Sequence, residues 1–195
     1  MTRLPEIAEG ELDERGRALH ERLATFNAGL GRALLGEPLG ATSGPANAFL
    51  HDPQLGGLVL ELGAYVNGRS ALPARTKEIV IMTVVAHWRT EFEWWAHSRM
   101  AAGHDIEPSL LEAIATEAVA ELPDEERVLR DLTQQLLASG RVDDGTYQAA
   151  QALVGDAELV KVISLCGYYT MISFLLNGFE VAVPAGEPSR WPPQT

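Results

Sequence analysis

Residues 72–103 read LPARTKEIVIMTVVAHWRTEFEWWAHSRMAAG. Pro73 fits the opening of a helix that runs to about Trp88. Thr90 starts a second helix that ends near Gly103, placed as a C′ glycine. The first helix carries Glu78 among apolar residues, and the second carries Glu93 and His97 four positions apart, on one face. Two carboxylates and an imidazole inside apolar helices are costly unless paired or used. Three readings compete. In the first, Thr90-Glu91-Phe92-Glu93 is a capping box, Glu78 pairs with Arg75 or Arg99, and His97 is a core histidine. In the second, the two helices pack together, Glu78 approaches His97, and Glu93 lies one turn before it. A carboxylate beside an imidazole raises its basicity and orients the ring, so the trio becomes an acid/base relay. Arg75, Trp94, Thr90 and His87 are then the candidate substrate-binding residues, with Arg75 holding a carboxylate in a bidentate contact. The third reading, a metal held by Glu93, His97, His87 and Glu78, lacks an HExxH or Glu-x-x-His pair, and no metal is expected.

The rest of the 195-residue chain is read as helical and as one domain. A first helix is expected over about Glu11–Ala28. Residues 29–46 hold Gly29, Gly31, Gly36, Gly40 and Gly44 with Pro38 and Pro45, and are read as a long loop, a flap over a site. This N-terminal part, 1–44, precedes a core over 45–184 and a Pro-rich tail over 185–195. A short helix is expected over Pro45–His51. Asp52-Pro53 starts a longer helix to about Val66. Pro108, Asp124, Asp143 and Asp156 read as starts, Gly140 and Gly155 as stops, and the last helix runs from Asp156 to Phe179. The total is about eight or nine helices and no sheet, an all-α fold.

Composition limits function. The net charge of −12 repels a phosphate backbone, so no nucleic-acid partner is expected. A single cysteine, Cys166, excludes an intrachain disulfide and a CxxC pair, and suits a reducing cytoplasm. Its apolar surroundings favour an inert thiol. The first twenty residues are too charged for a signal peptide. The run 162–179, VISLCGYYTMISFLLNGF, approaches membrane-spanning length, but its Tyr, Thr, Ser and Asn residues favour a helix buried in a core or interface, and no membrane partner is expected.

The same residues resemble the carboxymuconolactone decarboxylase family, within the alkyl hydroperoxidase D-like superfamily. The resemblance is carried by Leu72, Arg75 and Glu78, then Glu91-Phe92-Glu93-Trp94 and His97, with GPANAFLHDPQLGGLVLELGAYV before and GYYTMISFLLNGFEVAVP after. It covers residues 40–184 and points to the longer branch of the family. In the peroxidase branch the pattern is Glu-x11-Cys-x2-Cys-x3-His. Here those positions are Glu78, Thr90, Glu93 and His97, so both cysteines are replaced. The resemblance implies an AhpD-like helical bundle, no organic cofactor, and a homo-oligomer (trimer, hexamer or dimer). It also implies a carboxy-lyase-like enzyme acting on a small carboxylated or lactone substrate. On this expectation His97 is the acid/base and Glu78 and Glu93 set its protonation.

Overall fold

A computed structural model describes residues 2–118 and 121–191. Among these, the elements after a 3-10 turn at Glu9–Glu11 are eight helices and no strand. They are α1 (Glu14–Leu35), α2 (Ala46–His51), α3 (Pro53–Gly68), α4 (Ala74–Trp88), α5 (Glu91–Ala102), α6 (Pro108–Ala115), α7 (Asp124–Ser139) and α8 (Asp144–Gly178). The all-α expectation holds.

The centre of the bundle is α4. Residues 79–85 are all at most 5% exposed, as expected of a helix apolar on every side. It packs against α5, α6, α7 and α8. Val80, Ile81, Val84 and Val85 join Leu129, Leu132, Leu159, Val162 and Leu165 in one core cluster. Ile79 and Met82 pack under α6 with Ile106 and Ile114. A further cluster joins α1, α2, α5 and α8 through Leu19, Leu23, Phe49, Phe92, Trp95 and Ile172.

Two boundaries differ from the sequence expectation. Helix α1 continues to Leu35 and stops at Gly36, which takes the left-handed conformation (φ 82°). Gly31 therefore lies inside the helix. A Cβ there would come within 2.2 Å of the Leu39 amide, so the glycine serves close packing of the returning chain and does not break the helix. The loop shrinks to residues 36–45. Buried Asn27 pins it, with Nδ2 3.1 Å from each of the carbonyls of Gly40, Ala41 and Ser43. Its far end rests on α5, where Gly44 lies flat against the Phe92 ring. The other boundary is the predicted stop at Gly155. It is present as a break (φ 75°, ψ 165°) inside a single 35-residue element.

The tail is strapped to α5. Glu187 accepts hydrogen bonds from Trp95 Nε1 (2.8 Å) and from Arg99. Glu91 accepts from the amides of Arg190 (2.7 Å) and Trp191. Trp191 meets Trp94 edge to face with ring centroids 4.9 Å apart. Residues 192–195 of the predicted tail lie outside the described residues.

Candidate active site

The turn between α4 and α5 sets the site. Arg89 adopts a left-handed conformation (φ 51°) and the Thr90 amide reaches back to the Val85 carbonyl (3.1 Å). The chain reverses within two residues, so α5 lies against α4 and brings Glu93 and His97 over Glu78. All three side chains are buried. His97 Nδ1 is 2.6 Å from Glu78 Oε1, and His97 Nε2 is 3.4 Å from Glu93 Oε2. Burial alone would lower the histidine's pKa. The charge and hydrogen bond of Glu78, reinforced by Glu93, overcome it and push it up to about 10. His97 is therefore a cation at neutral pH, hydrogen-bonded to Glu78 through Nδ1 and paired with Glu93 through Nε2.

Helix α8 closes the site with two tyrosines that the sequence reading did not select. Tyr169 meets His97 edge to face, with centroids 5.2 Å apart, and its hydroxyl donates to Asn67 Oδ1 (3.2 Å). Burial and the nearby Glu93 charge hold its pKa well above the usual phenol value. Tyr168 is raised by the same two causes. Its hydroxyl sits over Gly63 of α3, where a Cβ would stand 2.3 Å from the oxygen. The available signal was the pair of phenols interrupting an apolar helix, which the sequence reading used only to argue against a membrane span.

The other predicted site residues are placed elsewhere or otherwise engaged. Glu78 pairs with neither Arg75 nor Arg99. Arg75 Nε binds Glu126 Oε1 (2.8 Å) and its guanidinium also reaches the Asp105 carbonyl. Arg99 is taken by Glu187. Arg75 is thus committed to an ion pair with Glu126 of α7. Trp94 packs on Trp191. His87 lies 3.4 Å from Glu117 and edge-on to Trp88, half-buried. The capping box does not form. Thr90 makes no side-chain cap bond, and its fully buried hydroxyl has no partner among the described residues. Cys166 is buried beside Thr133, 3.6 Å away, and burial pushes its thiol up to about 11.

This all-α bundle, with Glu78, His97 and Glu93 buried together between its fourth and fifth helices, has the AhpD-like helical fold. Solved structures that share it include the following three. A protein described as an alkylhydroperoxidase AhpD core, an uncharacterized peroxidase-related protein from Ralstonia eutropha, matches with TM-score 0.73 at 13% identity, over 92% of this chain and 90% of its own. An uncharacterized peroxidase-related protein from Silicibacter matches with TM-score 0.70 at 14% identity over the same shares. A protein of unknown function from Agrobacterium tumefaciens matches with TM-score 0.64 at 17% identity, over 71% of this chain and 97% of its own. At these identities the likeness is one of fold. No protein-family model matches the chain, and no curated protein is significantly similar to it in sequence.

Proposed function

We propose that this chain is a cofactor-independent acid/base enzyme acting on a small, enolisable carboxylated or lactone compound, of the carboxymuconolactone decarboxylase type. The observation that supports this most is the pairing of both His97 nitrogens with carboxylates. Such a triad is a proton store. Because both ring nitrogens are occupied, protons reach a substrate through the Glu93 carboxylate, with His97 behind it and Glu78 fixing the ring. In a decarboxylation the C–COO⁻ bond breaks, CO₂ leaves, and its electron pair becomes an enolate, which the Glu93–His97 couple protonates at carbon. In an isomerisation the same couple removes a proton from one carbon and returns it to another.

Deuterium wash-in tests the reading without the native substrate. The protein in D₂O is given 5-oxotetrahydrofuran-2-carboxylate and levulinate, and exchange next to the carbonyl is followed by proton NMR. Enzyme-dependent exchange is expected. Its absence with both compounds counts against the assignment.

A thiol peroxidase is disfavoured by chemistry. Thr90 and Glu93 stand where that branch carries its two cysteines, and Cys166 is a buried, high-pKa thiol. Peroxide consumption with a thiol donor is expected to stay at background, and Cys166→Ser to leave it there. Turnover above background would reverse this.

We also propose a homo-oligomer. Leu58, Leu62 and Tyr65 of α3, and Val160, Ile163 and Phe174 of α8, are exposed and recur at helical spacing, so each helix turns an apolar stripe outward. A 460 Å³ groove lined by Thr170, Met171, Phe174 and Phe179 continues the α8 stripe. Stable interfaces bury about 800 Å² per partner, and an apolar face along two helices is of that scale. Light scattering should give a multiple of the 21.1 kDa chain, and Leu62→Asp with Ile163→Asp should reduce it to one. A monomeric wild type refutes the assembly.

A further inference from the structure

The Glu78, His97 and Glu93 side chains are fastened unequally. His97 Nδ1 stands 2.6 Å from Glu78 Oε1, a full hydrogen bond, whereas Nε2 stands 3.4 Å from Glu93 Oε2, beyond ordinary hydrogen-bond length. The torsion that turns an imidazole about its Cβ–Cγ bond is broad, without staggered wells to hold it. The looser Glu93 contact therefore depends on what else touches the ring. Tyr169 touches it. Its ring stands perpendicular to the imidazole, with centroids 5.2 Å apart, and it is buried. Tyr169 is itself held at its far end. Its hydroxyl donates to Asn67 Oδ1 of α3 (3.2 Å), and the Asn67 side-chain amide donates in turn to the Gly63 carbonyl (2.9 Å). The Asn67 carbonyl lies in the last turn of α3, where a helix leaves its carbonyls unpaired, and Lys77 Nζ caps it at 2.6 Å. Lys77 is the chain neighbour of Glu78. The contacts thus close a circuit through four helices: Glu78 on α4, His97 on α5, Tyr169 on α8, Asn67 on α3, and back to α4 at Lys77. Burying a phenol costs free energy that a phenyl ring would not. What the hydroxyl adds is the bond that ties the long axis of the ring to α3.

We propose that Tyr169, anchored through its hydroxyl to Asn67, is a positioning residue that holds the His97 ring in the plane where Nε2 faces Glu93. The inference rests on the acid/base reading above and names what keeps its proton store in register. The charged groups facing His97 are Glu78 from α4 and Glu93 from α5, with the Tyr168 phenol of α8 near Glu93. Tyr169 stays un-ionised across the range in which His97 titrates, because burial and the Glu93 charge hold its pKa well above the usual phenol value. Replacing Tyr169 and Asn67 by apolar residues of like size therefore changes no charge beside His97. A shift in the His97 titration then reports the geometry of its two pairings.

The test is the double variant Tyr169→Phe with Asn67→Leu. Removing both partners of a hydrogen bond at near-constant volume is close to neutral for stability, so its thermal melt should stay near that of the wild type. If the double variant does not fold, Tyr169→Phe alone, which keeps the ring, is read in the same way. The full chain with isotope-labelled histidine is followed by NMR against pH, and His97→Gln identifies the His97 signals. The His97 midpoint, near 10 in the wild type, should fall in the variant as the Glu93 contact loosens. Deuterium wash-in should slow about tenfold, since a misplacement of about 1 Å costs about 10²-fold and a smaller one less. An unmoved midpoint, or unchanged exchange in an active protein, overturns the positioning role and leaves the acid/base reading standing. A midpoint that falls in the variant, with a wild type that exchanges nothing, overturns the acid/base reading and leaves Tyr169 as the holder of His97.

Discussion

His97→Gln is expected to slow deuterium wash-in by about two to four orders of magnitude, the usual contribution of a positioned proton-transfer group. Glutamine has nearly the reach of histidine and can donate to Glu78, so the fold should persist and the loss should be chemical. The imidazolium does two things that an amide cannot. It stores a proton between Glu78 and Glu93, and it keeps Glu93 from sitting as a second unpaired buried carboxylate. The measurement is the exchange rate of both variants across pH, beside a thermal melt. Wild-type exchange in a well-folded His97→Gln protein would remove His97 from the mechanism.

The second large effect is on stability. The folded state raises the His97 pKa from 6.5 to about 10, so the folded chain holds this proton more tightly than the unfolded chain does. The resulting stabilisation is fully present below about pH 6.5 and is lost as pH rises through about 10. The melting temperature should therefore fall steadily between pH 7 and pH 10. Glu78→Leu removes the stronger partner. Breaking a buried ion pair from one side costs about 3–5 kcal/mol, which for a domain of this size lowers the melting temperature by on the order of 10 °C. The alkaline slope should shrink with it, because Glu93 alone raises His97 less. An unchanged slope in Glu78→Leu would show that another group carries the pH dependence.

Much of this was legible in the sequence because it rests on local patterns. Asp13, Asp52 and Asp143 each cap a helix with the side chain, and Asp52 and Asp143 were read as helix starts. The Glu78–His97 contact followed from two helices with a short connection. What failed was long-range. Gly31 looks like a breaker until the chain returns across it at Leu39. Arg75 looks free to bind a substrate until α7 brings Glu126 beside it. Thr90 and Glu93 match a capping box, yet Glu93 turns to His97 instead, because a buried imidazolium is a stronger partner for a carboxylate than a backbone amide. Tyr169 joins the cluster only because the fold carries α8 past His97, which no spacing within either helix records.

The edge-to-face meeting of Trp94 and Trp191 gives the molecule an optical consequence. Trp94 lies on the helix that carries Glu93 and His97, and Trp191 reaches it from the far end of the chain. The two indoles form a native fluorophore pair fixed to the helix that carries Glu93 and His97. Trp95 shares that helix and Trp88 ends α4, so the unmodified protein emits from four indoles, and replacing Trp88 and Trp95 by Phe isolates the pair as a label-free reporter of the helix.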